Sequence, residues 1–200
     1  MAQDSNAELV RRVKAGDRAA FDELVRRCHG RLYRLARRLL GNVDDAQEVV
    51  QETFLAAYEG MARFGDRAAV TTWLYAIAYN KAVDRLKQRT ADAWLITGEL
   101  EEAEVWRRSA TVHDLTDWRA DPEQNLVREQ LQGILDATLA QVPAVSRAVF
   151  ELRDQQGLSS REAAEALGLS EGAVRVRLHR VRQLLMAEVR RLTDPDGGER

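Results

Sequence analysis

From Arg175 to Arg191 the chain carries six arginines, at 175, 177, 180, 182, 190 and 191, against a single acid, Glu188. A guanidinium is a planar fork of donors that fits phosphate and the major-groove edge of guanine, so these residues could read nucleic acid. A lone arginine-rich amphipathic helix is more often a solvated face, and the residues just before it decide the matter. The run LSSREAAEALGLSEGAVRVRLHRVRQLL, 158 to 185, has Ser159 and Glu162 at capping-box spacing and Ala163, Ala164 and Leu167 on one side of a short helix. Gly168 then supplies a tight turn, and Ser170 caps the second helix of the run. Two helices joined by so short a turn make a helix-turn-helix, whose second helix enters the major groove. Val174, Leu178, Val181 and Leu185 fall on its buried side, leaving Arg175, His179, Arg180 and Arg182 outward and Arg177 on the flank.

A second basic region spans 72 to 89, where Lys81, Arg85, Lys87 and Arg89 outnumber Asp84 and stand among Trp73, Tyr75, Tyr79 and Asn80. Rings beside cations suit single-stranded DNA, in which an unpaired base stacks and phosphates need neutralising. The same aromatics at helical spacing also read as core. Catalysis has little support. His29, His113 and His179 lack metal-ligand spacing, no glycine-rich phosphate loop occurs, and the paired acids Asp44 with Asp45 and Glu101 with Glu102 read as a helix start and a solvated run. Cys28 is the only cysteine, which excludes an internal disulfide and a thiolate zinc site, and it reads as a small buried apolar residue. The expectation is a non-enzymatic chain without metal or cofactor.

The elements that must position these groups are all helical. Leu9, Val10 and Val13 mark a first helix that stops at Gly16, and Asp17 can cap a second whose stripe runs Phe21, Leu24, Val25, Cys28, Leu32, Leu35, Leu39. Gly41 and Asn42 end it. Asp44 followed by Gln47 starts a third with Ala46, Val49, Val50, Thr53, Phe54, Ala57 and Met61 inside, and Thr71 or Thr72 caps a fourth that runs to about Arg89. Residues 90 to 125 then hold nine acids against three arginines, a net of −6, so the remainder carries +4 within the total of −2. Trp94, Trp106 and Trp118 lie there without helical period. Asp121, Pro122 and Glu123 restart helix, with Val142 and Pro143 turning the chain into a segment carrying Val145, Val149 and Leu152 that Gly157 stops. The reading is all-α: a bundle at 1–89, an acidic linker at 90–121, a second helical domain at 122–193 and a disordered tail at 194–200. The first residues, MAQDSNAELVRR, lack the apolar core of a signal peptide, and no apolar run approaches the ~18 residues that span a bilayer, so a cytoplasmic protein without membrane insertion is expected.

Two basic helical domains flanking an acidic linker resemble the extracytoplasmic-function (ECF, group IV) sigma factors of the sigma-70 family. The likeness rests on GDRAAFDELVRR at 16–27, DDAQEVVQETFLAAYEGMARF at 44–64, TTWLYAIAYNKAVDRLKQR at 71–89 and the helix-turn-helix. It implies a subunit that binds core RNA polymerase, on its beta-prime clamp helices and beta flap, and directs promoter recognition and melting. By that resemblance Asp45, Glu48, Gln51, Glu52 and Phe54 meet the polymerase. Phe64, Trp73, Asn80, Asp84, Arg85 and Lys87 meet the melted minus-10 element, where a flipped base must be repaid by stacking and hydrogen bonds. Ser160, Arg161, Ser170, Glu171, Arg175, Val176, Arg177, His179 and Arg180 meet the duplex minus-35 element. Val176 stands where the family often has a small polar residue and Ser160 where it has a bulkier one, and the linker is long and tryptophan-rich for the class. The resemblance also implies an anti-sigma factor. The main rival is a stand-alone helix-turn-helix regulator of duplex operators, which would carry a sensor or receiver domain at its amino end.

Overall fold

Asp17 is where the local chemistry is plainest. Its backbone is extended, its carboxylate accepts the Ala20 N–H at 3.2 Å, and a 23-residue helix begins beyond it. The computed structural model describes residues 2–65, 69–89, 133 and 135–193, and every regular element among them is helical. In order these are α1 (Ala2–Lys14), α2 (Arg18–Leu40), α3 (Val43–Gly60), a 3-10 turn (Met61–Arg63), α4 (Val70–Arg89), α5 (Ala144–Phe150), a π turn (Glu151–Gln155), α6 (Ser160–Leu167) and α7 (Glu171–Thr193). Residues 135–140 are also helical and precede α5. The linker and tail lie outside the described residues.

Two starts differ from the sequence reading. Helix α3 is capped by Asn42, whose extended backbone frees its side-chain oxygen to accept the Asp45 N–H at 2.8 Å; Asp44 is already helical. Helix α4 begins at Val70 rather than after a threonine cap, because Val70 and Thr72 are both buried and belong to its first turn. Gly41 ends α2 with φ 77°, a conformation that a side chain would strain.

Helices α2, α3 and α4 pack on one another around Leu24, Leu32, Leu35, Leu39, Val49, Val50 and Leu74, while Ala46, Ala57, Ala78 and Ala82 let the helix axes approach. Helix α1 lays Leu9 and Val10 on α2. The second unit closes α5, α6 and α7 around Val149, Leu152, Ala163, Val174, Leu178 and Val181. The periodicity gave no sign that the two units dock. Helix α6 packs on α4, α5 and the π turn pack on α2, and one buried apolar cluster runs through both. A polar clasp closes the seam. Arg38 pairs with Asp136 and lies 3.6 Å from the buried Glu151. Gln156 donates to Glu151 at 2.7 Å and accepts from Arg34 and from the Tyr75 hydroxyl, both at 3.4 Å.

Cys28 is buried on α2, as its place in the stripe requires. Burial pushes its thiol from 9.0 up to about 11 and the Tyr75 phenol from 10.0 up to about 12. The folded chain therefore holds protons that the unfolded chain releases. The stabilisation is complete below pH 9 and is lost as pH rises through the folded values, at about 1.4 kcal/mol per group per pH unit. Urea midpoints are expected to fall between neutral pH and about pH 10.5, and a thiol reagent should label Cys28 only as the chain unfolds.

Candidate nucleic-acid interface

The helix-turn-helix forms as its residues dictate. Ser159 accepts the Glu162 N–H at 3.2 Å and Glu162 accepts the Ser159 N–H at 2.8 Å, closing the capping box. Gly168 ends α6 at φ 66°, and Ser170 accepts the Ala173 N–H at 3.1 Å to open α7. Val174, Leu178 and Val181 are buried beneath the turn, with Leu185 partly so. Arg161, Ser170, Glu171, Arg175, Val176 and His179 are exposed together, with Ser160, Arg177 and Arg180 half-buried beside them. Val176 is 48% exposed, an apolar group on a cationic face where a thymine methyl could be met. Arg182, on the outward side of its helix, is also a strut. It grips Asp154 of the π turn with two bonds of 2.6 and 2.9 Å, and that hydrogen-bonded carboxylate raises its pKa.

On α4, Asn80, Asp84 and Lys87 are exposed, Lys87 lying 3.8 Å from Asp84. Trp73 is half-buried and tilts on Phe64, ring centroids 4.8 Å apart, with the Lys14 ammonium 5.6 Å from the Phe64 centroid. Phe64 itself is buried, so it backs Trp73 rather than standing open to solvent. Gly60 makes room for the pair, since a Cβ there would come within 3.2 Å of the Trp73 ring. Residues 66–68 of the intervening loop lie outside the described residues. Tyr79 lies between the units; burial raises its pKa and the charge of Arg177 opposes that rise.

The side chains expected to contact polymerase do not share one exposure. Glu48 and Gln51 are exposed and Glu52 is half so, but Asp45 is buried and held by Asn42, Arg85 and Arg89. The Asn42 amide, ahead of the two arginines, lowers its carboxyl below the ordinary value. Phe54 is a core residue at 8% exposed, packed edge-on to Phe21, as its place in the helical stripe requires. The apolar groups that α3 does present carry no signal in the sequence: Val43 at its start at 46% exposed, and further along Leu55 at 60% and Tyr58 at 47%, the last set edge-on against Phe21 at 5.0 Å. Arg85 faces Asp45 at 3.3 Å, Glu52 at 3.0 Å and Glu48, while Lys81 lies 3.1 Å from Glu52.

The family description Sigma-70 region 2 matches residues 24–91, which hold most of α2 and all of α3 and α4, and Sigma-70, region 4 matches 132–185, which hold the helix-turn-helix. The ECF RNA polymerase sigma factor SigW of Bacillus subtilis is 33% identical over 189 residues, 92% of this chain and 96% of that one. The chain belongs to the ECF class of the sigma-70 family. SigM of Mycobacterium tuberculosis, another ECF RNA polymerase sigma factor, is 35% identical over 181 residues, covering 90% and 83% of the two chains. Among solved structures, CnrH in complex with the cytosolic domain of CnrY superposes with TM-score 0.63 at 28% identity over 94% of this sigma factor and 97% of CnrH. Both matched regions fall on the helical units, one carrying α4 and the other α7. Among the described residues no helix of this ECF factor is long and apolar enough to cross a membrane.

Proposed function

We propose that this sigma factor docks on core RNA polymerase through the exposed side of α3, presents α4 to the melted minus-10 strand and sets α7 in the major groove at minus-35. It acts where polymerase and chromosome are, in the cytoplasm, as a binding subunit without catalysis of its own. The observation that carries the reading is the joint exposure of Arg175, Val176 and His179 on a properly capped helix-turn-helix in a chain whose other unit matches the sigma-70 region 2 family. The sigma factor RpoE of Bartonella quintana, which shares the fold, was solved in complex with the anti-sigma factor NepR, and by analogy an anti-sigma factor regulates this chain.

The deciding experiment is co-purification with core polymerase followed by transcription from a genomic fragment library. Transcripts dependent on the added chain are expected, and tight operator binding by the isolated protein without polymerase would favour the stand-alone regulator. Arg175→Ala should weaken holoenzyme binding to the recovered minus-35 duplex by about 5- to 100-fold, the range for loss of a base-reading arginine. A loss confined to one base position marks base reading. A uniform loss with a salt slope shallower by about 1 marks a phosphate contact.

A further inference from the structure

Between the helix assigned to polymerase and the helix assigned to the promoter lies a lattice of six charges. Asp45, Glu48 and Glu52 climb α3 at spacings of three and four, and Lys81, Arg85 and Arg89 climb α4 at spacings of four, so one ridge of each helix meets the other. Arg85 is the centre. Its two terminal nitrogens are both committed, one to Asp45 and Glu48 and the other to Glu52. Three carboxylates and three cations cancel.

The members are not equally anchored. Asp45, 9% exposed in its side chain, is fixed by the Asn42 cap and by Arg89. The side chains of Glu48 and Glu52 are 59% and 40% exposed and remain open to an approaching partner even while they hold Arg85. A phosphate would need the same two guanidinium nitrogens that the carboxylates occupy. A partner that binds Glu48 and Glu52 must bring donors of its own, and so draws the carboxylates off Arg85.

We propose that the lattice is a latch: in the free chain the carboxylates of α3 occupy Arg85 and Lys81, and docking of a cationic polymerase surface on Glu48 and Glu52 releases those cations to the phosphates of the melted strand. This rests on the proposed assignment of α3 to polymerase and α4 to the melted strand. It makes Arg85 a positioning residue while the chain is free and a phosphate ligand once docked. By linkage, single-stranded DNA must strengthen polymerase docking by the same factor that docking strengthens DNA binding.

The test uses the full chain, free and in complex with core polymerase, and an oligothymidylate strand as a sequence-neutral phosphate probe. The isosteric double variant E48Q/E52Q, free of polymerase, is expected to bind the strand about tenfold more tightly at low salt, with a log–log salt slope steeper by about 0.7 to 1.4, one to two more phosphates. Adding R85Q to that variant should take back the share of Arg85, about 0.7 of slope, and adding K81Q as well should return affinity and slope to those of the unmodified chain. The control D22N/E59Q, which removes two exposed acids outside the lattice, should show no change in slope. An unchanged slope in E48Q/E52Q overturns the latch, as does a gain that survives K81Q with R85Q or appears equally in the control. Glu48→Gln alone, at the most exposed member, gives a smaller change of the same sign if the double variant folds poorly. An unmodified holoenzyme that initiates normally while the double variant gains nothing removes the latch and leaves the function standing. Failure of the unmodified holoenzyme to initiate anywhere removes both.

Discussion

Replacing Leu55 by aspartate and Tyr58 by alanine together is expected to lower capture of the chain by core polymerase about a hundredfold or more, with the fold intact. These are two of the large apolar groups that α3 leaves in solvent, one turn apart and away from Val43 at its start, and Tyr58 is held in place by its edge contact with Phe21. A pre-positioned aromatic beside an aliphatic group is the composition of an interface hot spot, and loss of two such anchors removes several kcal/mol. The acids around them contribute less, because half-exposed pairs are screened. Neighbouring Phe54 is the contrast. Phe54→Ala empties core volume and should cost about 3–5 kcal/mol of folding stability, so its defect appears as a lowered denaturation midpoint and not as a specific loss of polymerase binding. Fluorescence titration of labelled chain with core polymerase, run beside urea melts, separates the two. A change of less than about threefold for L55D/Y58A would place the docking surface elsewhere.

Much of the fold was legible because much of it is local. Asp17, Ser159 with Glu162, Gly168 and Ser170 act within four residues of themselves, and each does in the structure what its type and spacing announce. The buried stripe of α2 followed from period alone. What escaped depends on how helices rotate against one another. Arg182 sits on the outward side of its own helix, yet finds Asp154 28 positions earlier because the π turn swings that carboxylate across. The lattice around Arg85 joins residues 29 to 44 positions apart, and no pattern within either helix fixes which ridges meet. Leu55 and Tyr58 escaped because a lone exposed leucine or tyrosine carries meaning only once its surroundings are known, whereas the polar members of α3 stand out by type. The Asn42 cap was missed for a smaller reason: two nearby residues could both start the helix, and the backbone decided between them.

Bridging the two units covalently should abolish initiation altogether. The minus-10 and minus-35 elements are about 25 base pairs apart, which at 3.4 Å per step is about 85 Å of duplex. In the structure α6 packs directly on α4, so the two reading surfaces cannot lie on both elements at once. The seam must therefore open on a promoter, and the sequence allows it, since a linker of residues 90–121 could span at most about 3.3 Å per residue, past that separation. The contacts that hold the seam favour reversibility. Arg38 and Glu151 give back in desolvation much of what they gain by pairing, and the bonds of Gln156 to Arg34 and Tyr75 are long. Cysteines introduced as Arg34→Cys and Gln156→Cys, joined by a bismaleimide with a reducible spacer, would pin the seam; native Cys28, buried and with its thiol pKa raised to about 11, should not take the reagent. The unbridged double variant is the reference because Gln156 also bonds Glu151. Bridged chain is expected to bind core polymerase through α3 yet yield no transcript, and reductant should restore the reference rate. Transcription by the bridged chain at the reference rate would mean that the docked arrangement is itself the working one, and that α4 and α7 do not read separate elements.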